Sequence, residues 1–128
     1  MKVGFTGTRR AVLSFDRREA LVEYLSSHRA SEFHHGDCVG SDSSAHDLVK
    51  EKFLDVTIVV HPPKDEKFRA FCDGHRVLPS RDYMDRNRDI VDAVDVLIAA
   101  PAEKENPRSG TLATIRYAKK AGKPVVIL

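Results

Sequence analysis

The strongest constraint on this chain is an alternation that repeats from end to end. Short apolar runs, each cut off by Gly or Pro, take turns with longer segments whose apolar residues recur at helical spacing. Lys2–Thr6 reads as a first strand ended by Gly7, and Glu32–His35 as a second stopped by Gly36. Val56–Val60 is a third, β-branched and almost uniformly apolar, closed by Pro62-Pro63. Asp95–Ala100 and Val125–Leu128 are the fourth and fifth. Between them, Ser14 caps a helix running to about Arg29 with Leu21, Val22 and Leu25 on one face. Ser41 or Asp42 opens a helix carrying Ala45, Leu48, Val49 and Phe53. Ser80 or Asp82 opens another, with Tyr83, Ile90, Val91 and Val94 inward. Ser109 caps the last, which buries Leu112, Ile115 and Ala118 and stops at Gly122 and Pro124. Residues 64–79 show no clean period and read as a connection with a short helical turn near Phe68. Strands alternating with helices at this pitch predict right-handed crossovers onto a parallel sheet: one Rossmann-like, doubly wound α/β domain spanning residues 1–128.

Composition narrows the partners. With 21 basic residues against 19 acidic ones the net charge is only +2, so no general attraction to nucleic acid or anionic membrane is expected. No apolar stretch approaches the roughly 20 residues of a membrane span. The opening Met1–Gly7 is punctuated by Gly too early for a secretory leader. Cys38 and Cys72 form no CxxC motif and are expected to be reduced, which predicts a cytoplasmic protein.

In an open parallel sheet, ligands bind beyond the carboxyl ends of the strands, so the residues after each strand matter most. Gly7-Thr8-Arg9-Arg10 follows strand one, Gly36–Asp42 strand two, His61-Pro62-Pro63 strand three, and the run through Arg108-Ser109-Gly110-Thr111 strand four. Ser109-Gly110-Thr111 opens a helix, whose free N–H groups and positive dipole end suit an anion; the bland alternative is a plain N-cap. Gly7-Thr8 makes a similar offer. Neither a GxGxxG fingerprint nor a Walker A loop is present. Asn87 shares a helix face with Tyr83, Ile90 and Val94, so it either bonds inside the core or turns to a ligand. Arg86 and Arg88 have Asp85 and Asp89 as surface partners within reach, and for at least one of them that reading holds. His34, His35, Asp37 and His46 invite a metal, but adjacent histidines on a strand point to opposite faces and no closed ligand spacing exists. The expectation is no metal and no cofactor.

Gly4–Arg9, Gly36–Asp42, Arg86–Ile90, Ala93–Ala99 and Ser109–Thr111, in that order, resemble the SLOG superfamily across Lys2 to Leu128. That group includes the Rossmann-like domain of DNA-processing protein A and the lonely-guy phosphoribohydrolases, and the likeness is nearest to short stand-alone bacterial and phage members. The resemblance implies five strands in the order 3-2-1-4-5 and a pocket between the loops after strands one and four. It implies a nucleotide-derived ligand, with ADP-ribose-like molecules among the options. The matching positions are Gly7, Thr8, Arg9, Gly40, Asp42, Arg86, Asn87, Ser109, Gly110 and Thr111, with Asp42 suited to a ribose diol. It also implies a homodimer, for which Tyr24, Phe53 and Tyr117 are surface candidates. Lonely-guy enzymes follow their Pro-Gly-Gly-x-Gly-Thr run with a catalytic glutamate, and here Ala113 and Thr114 stand in its place. Binding without turnover is therefore expected ahead of an N-glycoside hydrolase using Asp42, and ahead of a single-stranded DNA module, which would need a basic stripe with interleaved aromatics.

Overall fold

Successive residues of a strand point to opposite faces of its sheet, and here both faces are covered. The computed structural model describes residues 1–128. In chain order its elements are β1 (Lys2–Gly7), α1 (Phe15–Ser27), β2 (Glu32–His35), α2 (Ser41–Lys52), β3 (Thr57–Val60), a 3-10 turn (Glu66–Phe68), β4 (Arg76–Val77), α3 (Tyr83–Ala93), β5 (Val96–Ala100), α4 (Gly110–Lys120) and β6 (Val125–Ile127). The six strands are ordered β4-β3-β2-β1-β5-β6, every pairing parallel. The expected five-strand order 3-2-1-4-5 stands as β3-β2-β1-β5-β6, with β4 added at one edge. That strand is two exposed residues long, held by the pairings Val59 with Arg76 and Val60 with Val77. A pair so short has no periodicity to read.

On one face, Val3, Phe5, Phe33, Ile58, Val60 and Ile98 pack under Leu21 and Leu25 of α1 and Leu48 and Val49 of α2. On the other, Leu97 and Ala99 pack under Ile90 and Val91 of α3 and Ile115 and Ala118 of α4. Gly4 faces this second layer: a Cβ there would come within 2.9 Å of Val94 Cγ2. Its lack of a side chain seats α3 directly on β1.

Two expected caps hold. Ser14 accepts from Arg17 N–H at 3.3 Å and Ser109 from Leu112 N–H at 3.1 Å. The start of α2 differs from expectation, because its N-cap is Gly40, at φ +87° and with no side-chain cap. Ser41 and Asp42 lie inside the helix with their side chains committed elsewhere. Ser41 Oγ donates to Ala11 O, and Asp42 Oδ2 accepts from Cys38 N–H. The three aromatic candidates for a dimer surface do not form one patch. Tyr24 and Phe53 pack on the first layer and Tyr117 on the second, on the opposite side of the sheet. No helix is long and apolar enough to cross a membrane.

Candidate functional site

The carboxyl ends of β1 and β5 open into a pocket of about 750 Å³, within the range of small-molecule sites. Every residue singled out from the sequence except Gly40 lines it: Gly7, Thr8, Arg9, Asp42, Arg86, Asn87, Ser109, Gly110 and Thr111. Gly40 has a different task. At its positive φ, a Cβ would come within 2.6 Å of the Arg9 carbonyl group, so this glycine lets the loop after β1 lie against the start of α2. Gly7 is likewise demanded by packing, since a Cβ there would sit 2.6 Å from Ser41 Cβ.

Gly110 is the contrasting case. A Cβ there would meet only Asn87 Nδ2, at an ordinary 3.7 Å, and its φ is not in the left-handed region. The fold does not require glycine at this point. Ser109 satisfies Leu112 N–H with its hydroxyl and Ala113 N–H with its carbonyl. The N–H groups of Gly110 and Thr111 make no hydrogen bond within the chain and lie at the positive end of the α4 dipole. Thr8 offers less than expected, because its N–H donates to Ala100 O and its hydroxyl accepts from Arg10 N–H. Basic groups outnumber acidic ones around the cavity: Arg9, Arg10, Arg86, Lys104 and Arg108 against Asp42 and Glu105. Lys104 and Arg108 belong to the 102–108 loop, which the fold places beside the pocket.

Arg86 is buried, not on the surface. Its Nη1 donates to Gly36 O and to His61 O (3.1 Å), and its Nε to Asn87 Oδ1 at 2.8 Å. Only Nη2 is lightly engaged, 3.8 Å from Cys38 Sγ. The surface aspartates pair with Arg81 instead: Asp85 at 3.8 Å and Asp89 at 3.3 Å. Of the two alternatives for Asn87, the bond inside the chain is present: its oxygen accepts from Arg86 Nε, and its amide nitrogen lies 3.7 Å from where a Cβ on Gly110 would sit.

Asp42 is buried with Oδ1 lacking any partner, and burial raises its carboxyl to about 6 against the pull of the Arg86 guanidinium. Tyr83, read from the sequence as a core residue, lines the same pocket with an unpaired, buried hydroxyl. The available signal was its spacing of one helical turn from Asn87, which places both on one face.

Four of the six histidines form two pairs on opposite faces of β2. His34 donates from Nε2 to Glu32 Oε1 (2.8 Å), which leaves Nδ1 to accept from His61 Nε2 (2.8 Å). His35 Nδ1 accepts from Asp37 N–H at 3.0 Å, so its Nε2 carries the proton donated to His46 Nδ1 at 2.9 Å. Donor atoms of His35, His46 and Cys72 gather within 4.8 Å of one another. The hydrogen-bond polarity nevertheless makes His35 Nε2 a donor: ligating a metal there would require an imidazolate or loss of the Asp37 bond. The cluster is satisfied as a hydrogen-bonded support for the β2–α2 loop.

No protein-family model and no curated protein matches this chain. Solved structures do. The structural-genomics target TM1055 superposes with a TM-score of 0.69 at 20% identity, over 98% of this chain and 72% of that one. The molybdenum cofactor binding protein from the phototrophic bacterium Rippkaea orientalis gives 0.74 at 20% identity, over 99% and 76%. DNA processing protein A from Helicobacter pylori, solved for its single-stranded DNA binding mode, gives 0.66 at 20% identity, over 99% and 64%. What they share with this chain is the fold. It is an α/β architecture with a parallel sheet and helices on both sides.

Proposed function

We propose that this protein is a SLOG-like domain that binds a phosphate-bearing nucleotide or nucleotide derivative at the carboxyl ends of β1 and β5 and does not convert it. One observation carries the reading. The unpaired N–H groups of Gly110 and Thr111 open onto a net basic cavity beside a glycine whose side-chain space the fold leaves free. A phosphate fits that space, charge and donor set. The free thiols of Cys38 and Cys72 are compatible with a cytoplasmic setting.

Absence of turnover rests on α4. Cleaving an N-glycosidic bond needs a carboxylate near the oxocarbenium-like centre or the attacking water. At the corresponding positions Ala113 lines the pocket, and buried Thr114 turns its hydroxyl back to Gly110 O at 2.7 Å. Incubation with nucleoside monophosphates, NAD and ADP-ribose is therefore expected to return bound ligand intact after denaturation. Released base or ribose phosphate, abolished by Asp42→Asn, would replace this reading with a hydrolase working through Asp42. Preferential retention of oligo-dT over every mononucleotide would replace it with a DNA module.

A further inference from the structure

Asp42 Oδ1 and Tyr83 Oη are the two buried side-chain polar atoms of this protein without a hydrogen-bond partner, and both residues line the same pocket. Elsewhere the interior satisfies even awkward groups, down to the paired histidines on both faces of β2. Two unpaired atoms on residues that line one cavity mark a place where the partner comes from a bound molecule.

Their chemistry is complementary. Asp42 is 6% exposed and offers an acceptor, while Tyr83 offers an O–H donor. Arg86 ties the two together: its guanidinium carbon lies 5.4 Å from the Tyr83 ring centre, and its Nη2 lies 3.8 Å from Cys38 Sγ. The Cys38 N–H in turn donates to Asp42 Oδ2 at 3.2 Å. A group that gives one hydrogen bond and takes another matches this set, as the hydroxyls of a sugar diol do. Position favours sugar over base. Ser41, next to Asp42, abuts Gly7 at the end of β1, on the wall of the proposed phosphate pocket. The sugar is the part of a nucleotide joined directly to its phosphate.

We propose that Asp42 and Tyr83 form a hydroxyl clamp that accepts a ribosyl phosphate and discriminates against its deoxy counterpart. The clamp rests on the nucleotide-binding reading and adds Tyr83 as the partner of Asp42 and a preference for ribo over deoxy sugars.

The test is calorimetric titration with AMP, GMP, CMP and UMP, their 2′-deoxy and 3′-deoxy forms, and ribose 5-phosphate. Wild-type protein binds at least one ribonucleotide about tenfold or more tighter than a deoxy form. Asp42→Asn and Tyr83→Phe each bring that ratio to within about threefold by weakening the ribo form, and weaken ribose 5-phosphate in step. Both variants retain the fold. Tyr83→Phe keeps the ring beside Arg86, and Asp42→Asn removes a buried charge, so its thermal midpoint at about pH 7.5 is no lower than wild type. Equal affinity of the wild type for ribo and deoxy forms overturns the clamp and leaves the nucleotide reading standing. So does a variant that changes preference among bases with the sugar ratio unmoved. If no phosphate-bearing ligand binds wild-type protein, the nucleotide reading fails and the clamp falls with it.

Discussion

Acidification is expected to destabilise this protein steeply from about pH 6.5 downward, where an ordinary imidazole begins to charge. Burial, helped by His34 and Arg86, pushes His61 down to about 3. Burial likewise lowers His34, His35 and His46. A base depressed in the folded state contributes stability that is present above its unfolded pKa and is lost as pH falls toward its folded one. His61 alone loses about 1.4 kcal/mol per pH unit over that window, or about 2 kcal/mol by pH 5. The geometry gives the same sign. His34 Nδ1 and His46 Nδ1 both serve as acceptors, and a proton on either sets two donors against each other. Asp42 works in the opposite direction. Its raised value means stability lost as pH climbs from about 4 to about 6, worth about 3 kcal/mol once fully ionised. One carboxyl against four imidazoles leaves a net loss in acid. Thermal midpoints recorded from about pH 7.5 to about pH 5 should fall by several degrees. A flat profile over that range would show that the histidines are not held neutral as described.

Arg86→Ala is expected to lower stability by about 3–5 kcal/mol, the range for removing one partner of a buried charged network. The substitution strands Gly36 O, His61 O and Asn87 Oδ1, acceptors supplied from β2, β3 and α3 ends that the guanidinium ties together. Arg86→Lys should recover less than half of the loss, because one ammonium cannot reproduce the planar fork. Chemical denaturation at neutral pH measures both. A loss below about 1 kcal/mol for the alanine variant would return Arg86 to the solvated surface.

That residue also illustrates how the sequence could be read and where it could not. Strand–helix alternation was legible because apolar periodicity and Gly or Pro stops are local signals, and every long element lies within a few residues of its expected span. Ser109 was recognisable as a cap for the same reason. Arg86 was not assignable: its partners come from segments some 50 and 25 residues away, and Asp85 and Asp89 beside it offered an ordinary surface pairing. The glycines separate in the same way. Gly7 and Gly40 carried the composition of a phosphate loop, yet neighbouring backbone and Ser41 account for their size, whereas at Gly110 a Cβ would meet only an ordinary contact. Tyr83 passed for core because aromatic rings at helical spacing usually are core, and only the unpaired hydroxyl distinguishes it. The strand Arg76–Val77 lay within an aperiodic segment and depends wholly on pairing with β3.

Gly110→Asp is expected to abolish phosphate binding at the start of α4. A Cβ at this position meets only an ordinary contact, and a carboxylate in the first turn suits the helix dipole, so the apo protein should melt within about 2 °C of wild type. The same carboxylate occupies the anion's place and repels it. Calorimetric titration with the tightest nucleotide should show affinity lowered by more than about tenfold, or about 1.4 kcal/mol, with the corresponding unphosphorylated nucleoside far less affected. Unchanged nucleotide affinity in a folded Gly110→Asp protein would place the phosphate elsewhere.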